Sequence, residues 1–239
     1  MKLALCHELT LNDLEASIKF LKDKLDPDEI LCLNKDEIND FKLEDYDLYF
    51  FHLNLNSELE THASLTRQSL SNDLKLLNPY LEEANIFDDK FAFYQFLLAN
   101  GFKTPQTKLF EQLEEELEDT HIVKARHGTE KKDFDNYSQG AIEKILNYDD
   151  ALVQEKIDID QELKVLFVFD QVYSNSELDN ETQVELARFK EQLSKFFSIK
   201  NIKSPKIFSL DLLLDKNQNL FFLELNLRPG AFQRFSFSL

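Results

Sequence analysis

Over the first 80 positions, apolar residues fall in short runs interrupted by one helical spacing. Residues 2–6 form a short apolar run, read as a first strand. Leu14, Ile18, Leu21 and Leu25 recur at three- and four-residue intervals, which predicts a helix over 11–25. Asp26-Pro27-Asp28 ends that helix, because proline cannot continue it. Residues 30–33 and 46–55 predict two more strands, and a polar helix is expected over about 64–77, stopped at Asn78-Pro79. Strand, helix, strand, strand and helix in this order predict a small open α/β domain over 1–84. His52 and His62 read as rim residues of that domain rather than ligands.

Asp88 or Asp89 can cap the next helix, whose broad apolar face carries Phe91, Tyr94, Phe96, Leu97 and Leu98 and which Gly101 closes. Residues 102–107 read as an extended connector and 111–119 as an acidic helix with a solvated face. Residues 121–129 form a strand running into a loop. Lys124 lies inside that apolar strand, where a cation is costly without an anionic partner. Residues 151–157 and 162–168 predict two strands, the second extended by 171–173. A helix over 182–197 carries Val184, Leu186, Phe189, Leu193 and Phe197.

Two apolar runs, 211–215 and 220–227, then flank the turn Lys216-Asn217-Gln218-Asn219, the signature of a β-hairpin. The runs are nearly continuous, so both faces of the sheet are expected to be covered. Asp211, Glu224 and Asn226 are the exceptions. Glu224 and Asn226 are two apart and point to one face of one strand, while Asp211 opens the partner strand. Three oxygen ligands without His or Cys suit Mg²⁺ held with nucleotide phosphates. The same residues also suit a polar strand rim that merely stays wet.

Composition narrows the function classes. The chain has 239 residues, enough for one large domain or two small ones, and at 43 % hydrophobic it can build a core. A net charge of −18 argues against a nucleic-acid surface and against an anionic membrane surface. No apolar run approaches a transmembrane span, and the first residues are too short for a signal peptide. Cys6 and Cys32 fall in predicted strands without metal spacing, as expected of reduced, buried thiols in a cytoplasmic protein. Only four glycines occur, so each is expected where its conformational freedom is needed. Gly128 sits in a candidate phosphate loop; Gly140 lies in a polar segment with no assignment.

The order of these motifs resembles the ATP-grasp superfamily, in particular its carboxylate–amine ligases: D-alanine–D-alanine ligase, glutathione synthetase and the ribosomal-protein glutamate ligases. The resemblance rests on Asp89-Lys90, Gly101…Thr104-Pro105, Val123-Lys124…Gly128, Gln154-Glu155-Lys156-Ile157, Glu162-Leu163-Lys164-Val165 and Asp211…Glu224-Leu225-Asn226…Pro229-Gly230. It spans about 85–230. It implies an α/β chain of ATP-grasp fold, with a nucleotide cleft between two α+β lobes, 85–153 and 154–239, after the domain over 1–84.

The resemblance also implies roles. Lys90 and Lys124 would contact ATP phosphates, Lys124 with a catalytic part as well. His127, Gly128 and Thr129 would begin the loop over the triphosphate. Gln154, Glu155, Lys156 and Ile157 would form the adenine hinge, with Glu155 taking the amino group, and Glu162 would hold the ribose. Asp211, Glu224 and Asn226 would bind Mg²⁺, two ions with Glu224 bridging, Mn²⁺ being an acceptable substitute. Arg228 would stabilise an acyl-phosphate or hold a carboxylate; its alternative is a salt bridge to nearby acids. The implied activity is an ATP- and Mg²⁺-dependent ligase that activates a carboxylate as an acyl-phosphate and joins it to an amine or amino acid. Its partners would be small-molecule or peptide carboxylates and amines, with a homodimer allowed.

Departures from the family pattern keep alternatives open. The phosphate loop reads Gly128-Thr129-Glu130-Lys131-Lys132-Asp133, poor in glycine. Ser209 stands where the ligases often carry arginine, and the stretch 173–182 is short where relatives carry a catalytic arginine; Arg188 is the arginine nearby. The chain also stops soon after Gly230, without a terminal helix. A nucleotide-binding ATP-grasp protein with degenerate or no catalysis is the second reading. A carboxylating or thioester-forming synthetase is the third.

Overall fold

The structure is a computed structural model; it describes residues 2–7, 11–34, 37, 48–52, 63–64, 66–67, 75–81, 86, 89–112, 120–127, 151–227, 229, 235 and 237–238. The chain divides into two compact units. The first comprises Met1–Ala84, Lys164–Ser209 and Asn226–Leu239, and the second Asn85–Leu163 and Leu210–Leu225.

In the first unit, strand β1 (Lys2–His7) lies between β2 (Glu29–Asn34) and β3 (Leu48–His52), parallel to both, and β4 (Lys75–Leu76) adds to β3. A parallel connection needs a crossover, and helix α1 (Leu11–Leu25) supplies it between β1 and β2. Leu3, Ala4 and Leu5 are fully buried, as a central strand covered on both faces requires. Leu3, Leu5, Phe20, Leu21 and Leu77 share one core with Leu166, Val168, Tyr173 and Ile207. The rings of Phe20 and Tyr173 meet edge to face at 5.8 Å.

The expected helix over 64–77 holds only in part. Residues 63, 64, 66 and 67 are helical, but Lys75 and Leu76 form β4. The ladder with Leu48 and Tyr49 and the burial of Leu76 outweigh local helix preference there.

Helix α3 (Asn180–Ile199) turns Thr182, Leu186, Phe189, Leu193 and Phe197 into this unit's core. It begins before the predicted 182 because Asp179 caps it, accepting the Thr182 N–H at 2.7 Å. It ends at Lys200 and Asn201, with Asn201 at φ 56° and Ile202 N–H donating to Phe197 O at 2.9 Å.

In the second unit, β7 (Ala151–Glu155) is flanked by β5 (Thr107–Leu109) and β6 (His121–Ala125), antiparallel to both. Helix α2 (Lys90–Ala99) ends in a left-handed turn at Gly101, φ 69°. Phe102 N–H donates to Leu97 O at 2.9 Å and Gly101 N–H to Leu98 O at 3.1 Å, closing the last carbonyls. Glycine is needed there for its backbone, since a Cβ would meet nothing within 4 Å. Residues 110–112 form a 3-10 turn, and 113–119, the rest of the expected acidic helix, lie outside the described residues.

A five-stranded sheet has the order β11-β10-β8-β9-β12, from β8 (Ile159–Val168), β9 (Gln171–Ser174), β10 (Ile207–Asp215), β11 (Leu220–Asn226) and β12 (Phe237–Ser238). Strand β8 begins three residues before the predicted 162; its first residues are exposed, and Asp160 accepts from Gln218 Nε2 at 3.1 Å. Among the described residues, no helix is long and apolar enough to cross a membrane.

Candidate functional site

The start of α2 is fixed twice. Asp89 sits in extended conformation and its Oδ1 accepts the N–H groups of Phe91 and Ala92, each at 3.0 Å. Arg126, just past β6, grips the same carboxylate with Nε at 2.9 Å and Nη2 at 2.8 Å, a bidentate pair. The Lys90 N–H donates to Arg126 O at 3.1 Å, tying the strand end to the first helical residue. Burial pushes the Asp89 carboxyl up. The Arg126 hydrogen bonds, the Ala92 N–H and the charges of Arg126 and His127 outweigh it and hold the group below its ordinary value.

This clamp aims Lys90. Its Nζ lies 4.0 Å from Glu224 Oε1 on β11, with both side chains largely shielded at 20 % and 29 % exposure. A separation of 4.0 Å is the outer limit of direct ion pairing, so the contact is loose.

The three-stranded sheet positions the second lysine. Lys124 is paired across to Leu152, and Gln154 to Ile122 on β6 and to Thr107 on β5. Lys124 and Gln154 are thus diagonal neighbours on one face, within reach of long side chains. Lys124 Nζ donates to Gln154 Oε1 at 2.8 Å, Gln154 Nε2 to Thr107 Oγ1 at 2.9 Å, and Thr107 Oγ1 to Pro105 O at 3.0 Å. The cation in an apolar strand, which the sequence marks as costly, therefore has the buried Gln154 amide as an acceptor.

At the end of β7, Glu155 N–H donates to Gln106 O at 2.8 Å, and Glu155 Oε2 accepts the Gln106 N–H at 3.3 Å. Lys156 spends its N–H on Thr120 O at 2.7 Å. Ile157 is half-buried, and Glu162 is exposed on β8.

The expected hairpin is present. Asp215 closes its turn, taking the Asn217 and Asn219 N–H groups on Oδ1 at 2.9 and 2.8 Å and Asn219 Nδ2 on Oδ2 at 2.8 Å. Asp211 is half-buried on β10, and Glu224 and Asn226 are half-buried on β11. Among the described residues, no group of three His, Cys, Asp or Glu can hold a metal. That is compatible with a set of two carboxylates and one amide, whose donors are oxygens throughout and fit a hard cation. Gly128, Thr129 and Arg228 lie outside the described residues.

Neither a protein-family profile nor a curated protein matches the sequence. Solved structures do match. D-alanine–D-alanine ligase from Bacillus anthracis, complexed with ATP, is similar with a TM-score of 0.59 at 18 % identity, over 96 % of this chain and 87 % of that one. The macrocyclase MdnC from Microcystis aeruginosa MRC, bound with precursor peptide MdnA, is similar with a TM-score of 0.63 at 13 % identity, over 97 % and 93 %. N5-carboxyaminoimidazole ribonucleotide synthetase from Thermotoga maritima is similar with a TM-score of 0.58 at 18 % identity, over 95 % and 68 %.

The chain has the ATP-grasp fold. Within this fold, Lys90, Lys124, His127, Gln154, Glu155, Lys156, Ile157, Glu162, Asp211 and Glu224 all belong to the second unit; Asn226 and residue 228 fall outside it. Sequence reasoning missed Arg126 and Thr107. Arg126 carries a faint signal, being a cation two residues past Lys124, just beyond the end of β6. Thr107 carries none, since its value depends on which strand lies across from it.

Proposed function

We propose that this chain is an ATP- and Mg²⁺-dependent ligase that joins a carboxylate to an amine or amino acid through an acyl-phosphate. The observation that carries the reading is the approach of Lys90 to Glu224, a phosphate-type cation beside a metal-type carboxylate at 4.0 Å. The ATP-grasp fold supports it.

In this reading Lys90 and Lys124 hold the polyphosphate as point charges. Glu155 and the Lys156 carbonyl accept the base amino group, since the Lys156 N–H is already used. The Glu162 carboxylate accepts the ribose hydroxyls, and Asp211, Glu224 and Asn226 hold the metal. A metal held by these residues would supply neutralisation of the charge that develops on the phosphates during transfer. The substrate carboxylate oxygen bonds to γ-phosphorus as the bond to ADP breaks. The amine nitrogen then attacks the acyl carbon, phosphate leaves and the amine sheds a proton. Arg228 would stabilise the acyl-phosphate or hold a substrate carboxylate in this scheme. The lobes over 85–153 and 154–239, after the segment 1–84, are part of the same proposal.

Ser209 favours a second reading, nucleotide binding without turnover. It is buried in β10 at the position where the ligases it resembles often carry arginine, and it offers no charge. The two readings separate in one assay: release of ADP and phosphate from Mg²⁺-ATP with a panel of amino acids and peptides. Release that depends on one carboxylate and one amine supports the ligase. Nucleotide binding without release across the panel contradicts it and supports the second reading.

A further inference from the structure

We infer that Asn78 is a positioning residue for Asn226: it grips the chain one residue past that amide and holds the end of strand β11 in place for a metal. The inference rests on the metal reading above and gives the segment after β4 a part in it. Asn78 Nδ2 donates to Leu227 O at 3.2 Å, across 149 residues of sequence, and Asn78 is fully buried.

Asn226 is the last residue of β11, and Leu227 has already left the strand. The end of a strand has no further ladder to hold it, and element ends open first. Asn78 supplies a bond at that position. A carbonyl only accepts, so Asn78 must turn its amide nitrogen toward Leu227. The Leu227 side chain is buried as well. Leu227 is thus fixed through both its side chain and its carbonyl, directly beside Asn226.

The donor is itself held. Leu77 O accepts the Lys206 N–H at 2.6 Å and the Ile207 N–H at 3.2 Å, where β10 begins. Tyr80 N–H donates to the Oγ1 of buried Thr66 at 2.9 Å. Pro79 biases Asn78 toward extended backbone. Residues 77 and 78 therefore bridge the open end of the hairpin, with a carbonyl on the chain entering β10 and an amide on the chain leaving β11. Contacts that orient a ligand from behind govern how well it holds a metal.

The test measures the gain in ADP affinity on adding Mg²⁺, by calorimetry on the full chain. Asn78→Leu keeps the shape and removes the amide; Asn78→Ser keeps polarity and loses the reach. Both are expected to shrink the Mg²⁺ gain about tenfold, the size typical of contacts that orient metal ligands, and to leave Mg²⁺-free ADP affinity unchanged. Thr66→Val breaks the neighbouring anchor without touching Leu227. It is expected to lower stability to urea and keep the full Mg²⁺ gain. In an Asn226→Ala background the Asn78 substitutions are expected to change the gain no further, as coupling through Asn226 requires. Equal losses with and without Mg²⁺, an effect that persists without Asn226, or the same loss of gain in Thr66→Val overturn the inference. Failure of both Asn78 variants to fold makes Asn78 a residue of the fold alone and overturns it too. An unchanged gain in both variants overturns this inference and spares the metal reading. A wild-type chain whose ADP affinity does not respond to Mg²⁺ overturns the metal reading and this inference with it.

Discussion

Lys90 at the first position of α2 brings its ammonium nitrogen to 4.0 Å from Oε1 of Glu224 on β11. The approach is built from far apart in the chain. Asp89 starts the helix, Arg126 grips Asp89 from the end of β6, and Phe222 N–H on β11 donates to Lys103 O at 2.9 Å. At this separation and partial exposure the pair itself contributes little to stability.

Lys90→Met is therefore expected to change unfolding free energy by less than about 1 kcal/mol. Affinity for ADP is expected to fall about tenfold from the lost phosphate contact. Urea unfolding and calorimetry on one preparation check both. A large stability loss with unchanged affinity would make Lys90 a structural ion-pair partner.

Asp89 is both a cap and the acceptor of Arg126, and two substitutions separate these roles. Asparagine still caps but no longer pairs with the guanidinium, so Asp89→Asn is expected to cost about 1 kcal/mol. Asp89→Ala loses both contacts and is expected to cost about 2 kcal/mol or more. Urea unfolding of the two variants checks the order; equal losses would mean that the cap contributes nothing.

The pH dependence follows from the same carboxylate. The folded protein holds Asp89 below its ordinary value, against burial, through Arg126, the Ala92 N–H and His127. A lowered carboxyl contributes stability above the unfolded value and loses it as pH falls through the folded value. The wild-type advantage over Asp89→Asn is expected to be full at neutral pH and to shrink below about pH 4. An advantage that grows on acidification would contradict the pairing.

Leu3, Leu5, Leu21 and Leu77 share a core with Leu166, Val168, Tyr173 and Ile207. A fragment of residues 85–239 would expose the second group of side chains to water. It is expected to bind a hydrophobic dye and to lack a cooperative unfolding transition. A cooperatively folded fragment would show that these contacts are dispensable.

Where one element carries its own signal, the sequence is easily read. The helix over 11–25 follows from the spacing of Leu14, Ile18, Leu21 and Leu25, and the last hairpin from two apolar runs around Lys216-Asn217-Gln218-Asn219. Strand β4 is opaque because two residues have no period; its partner β3 decides it. The candidate site shows the same limit. Lys124 is legible as a cation in an apolar strand, and the resemblance names Gln154. Their meeting depends on the register of β6 against β7, and Thr107 on that of β5. Arg126 reaches Asp89 only because a strand end and a helix start converge.

The most direct measurement is calorimetric titration of the full chain with ADP, with and without Mg²⁺, for wild type and Glu224→Gln. Saturable binding to wild type that tightens with Mg²⁺ is expected, and binding to Glu224→Gln that persists while its Mg²⁺ dependence is lost. No binding to wild type, or an equal gain from Mg²⁺ in both proteins, would contradict it.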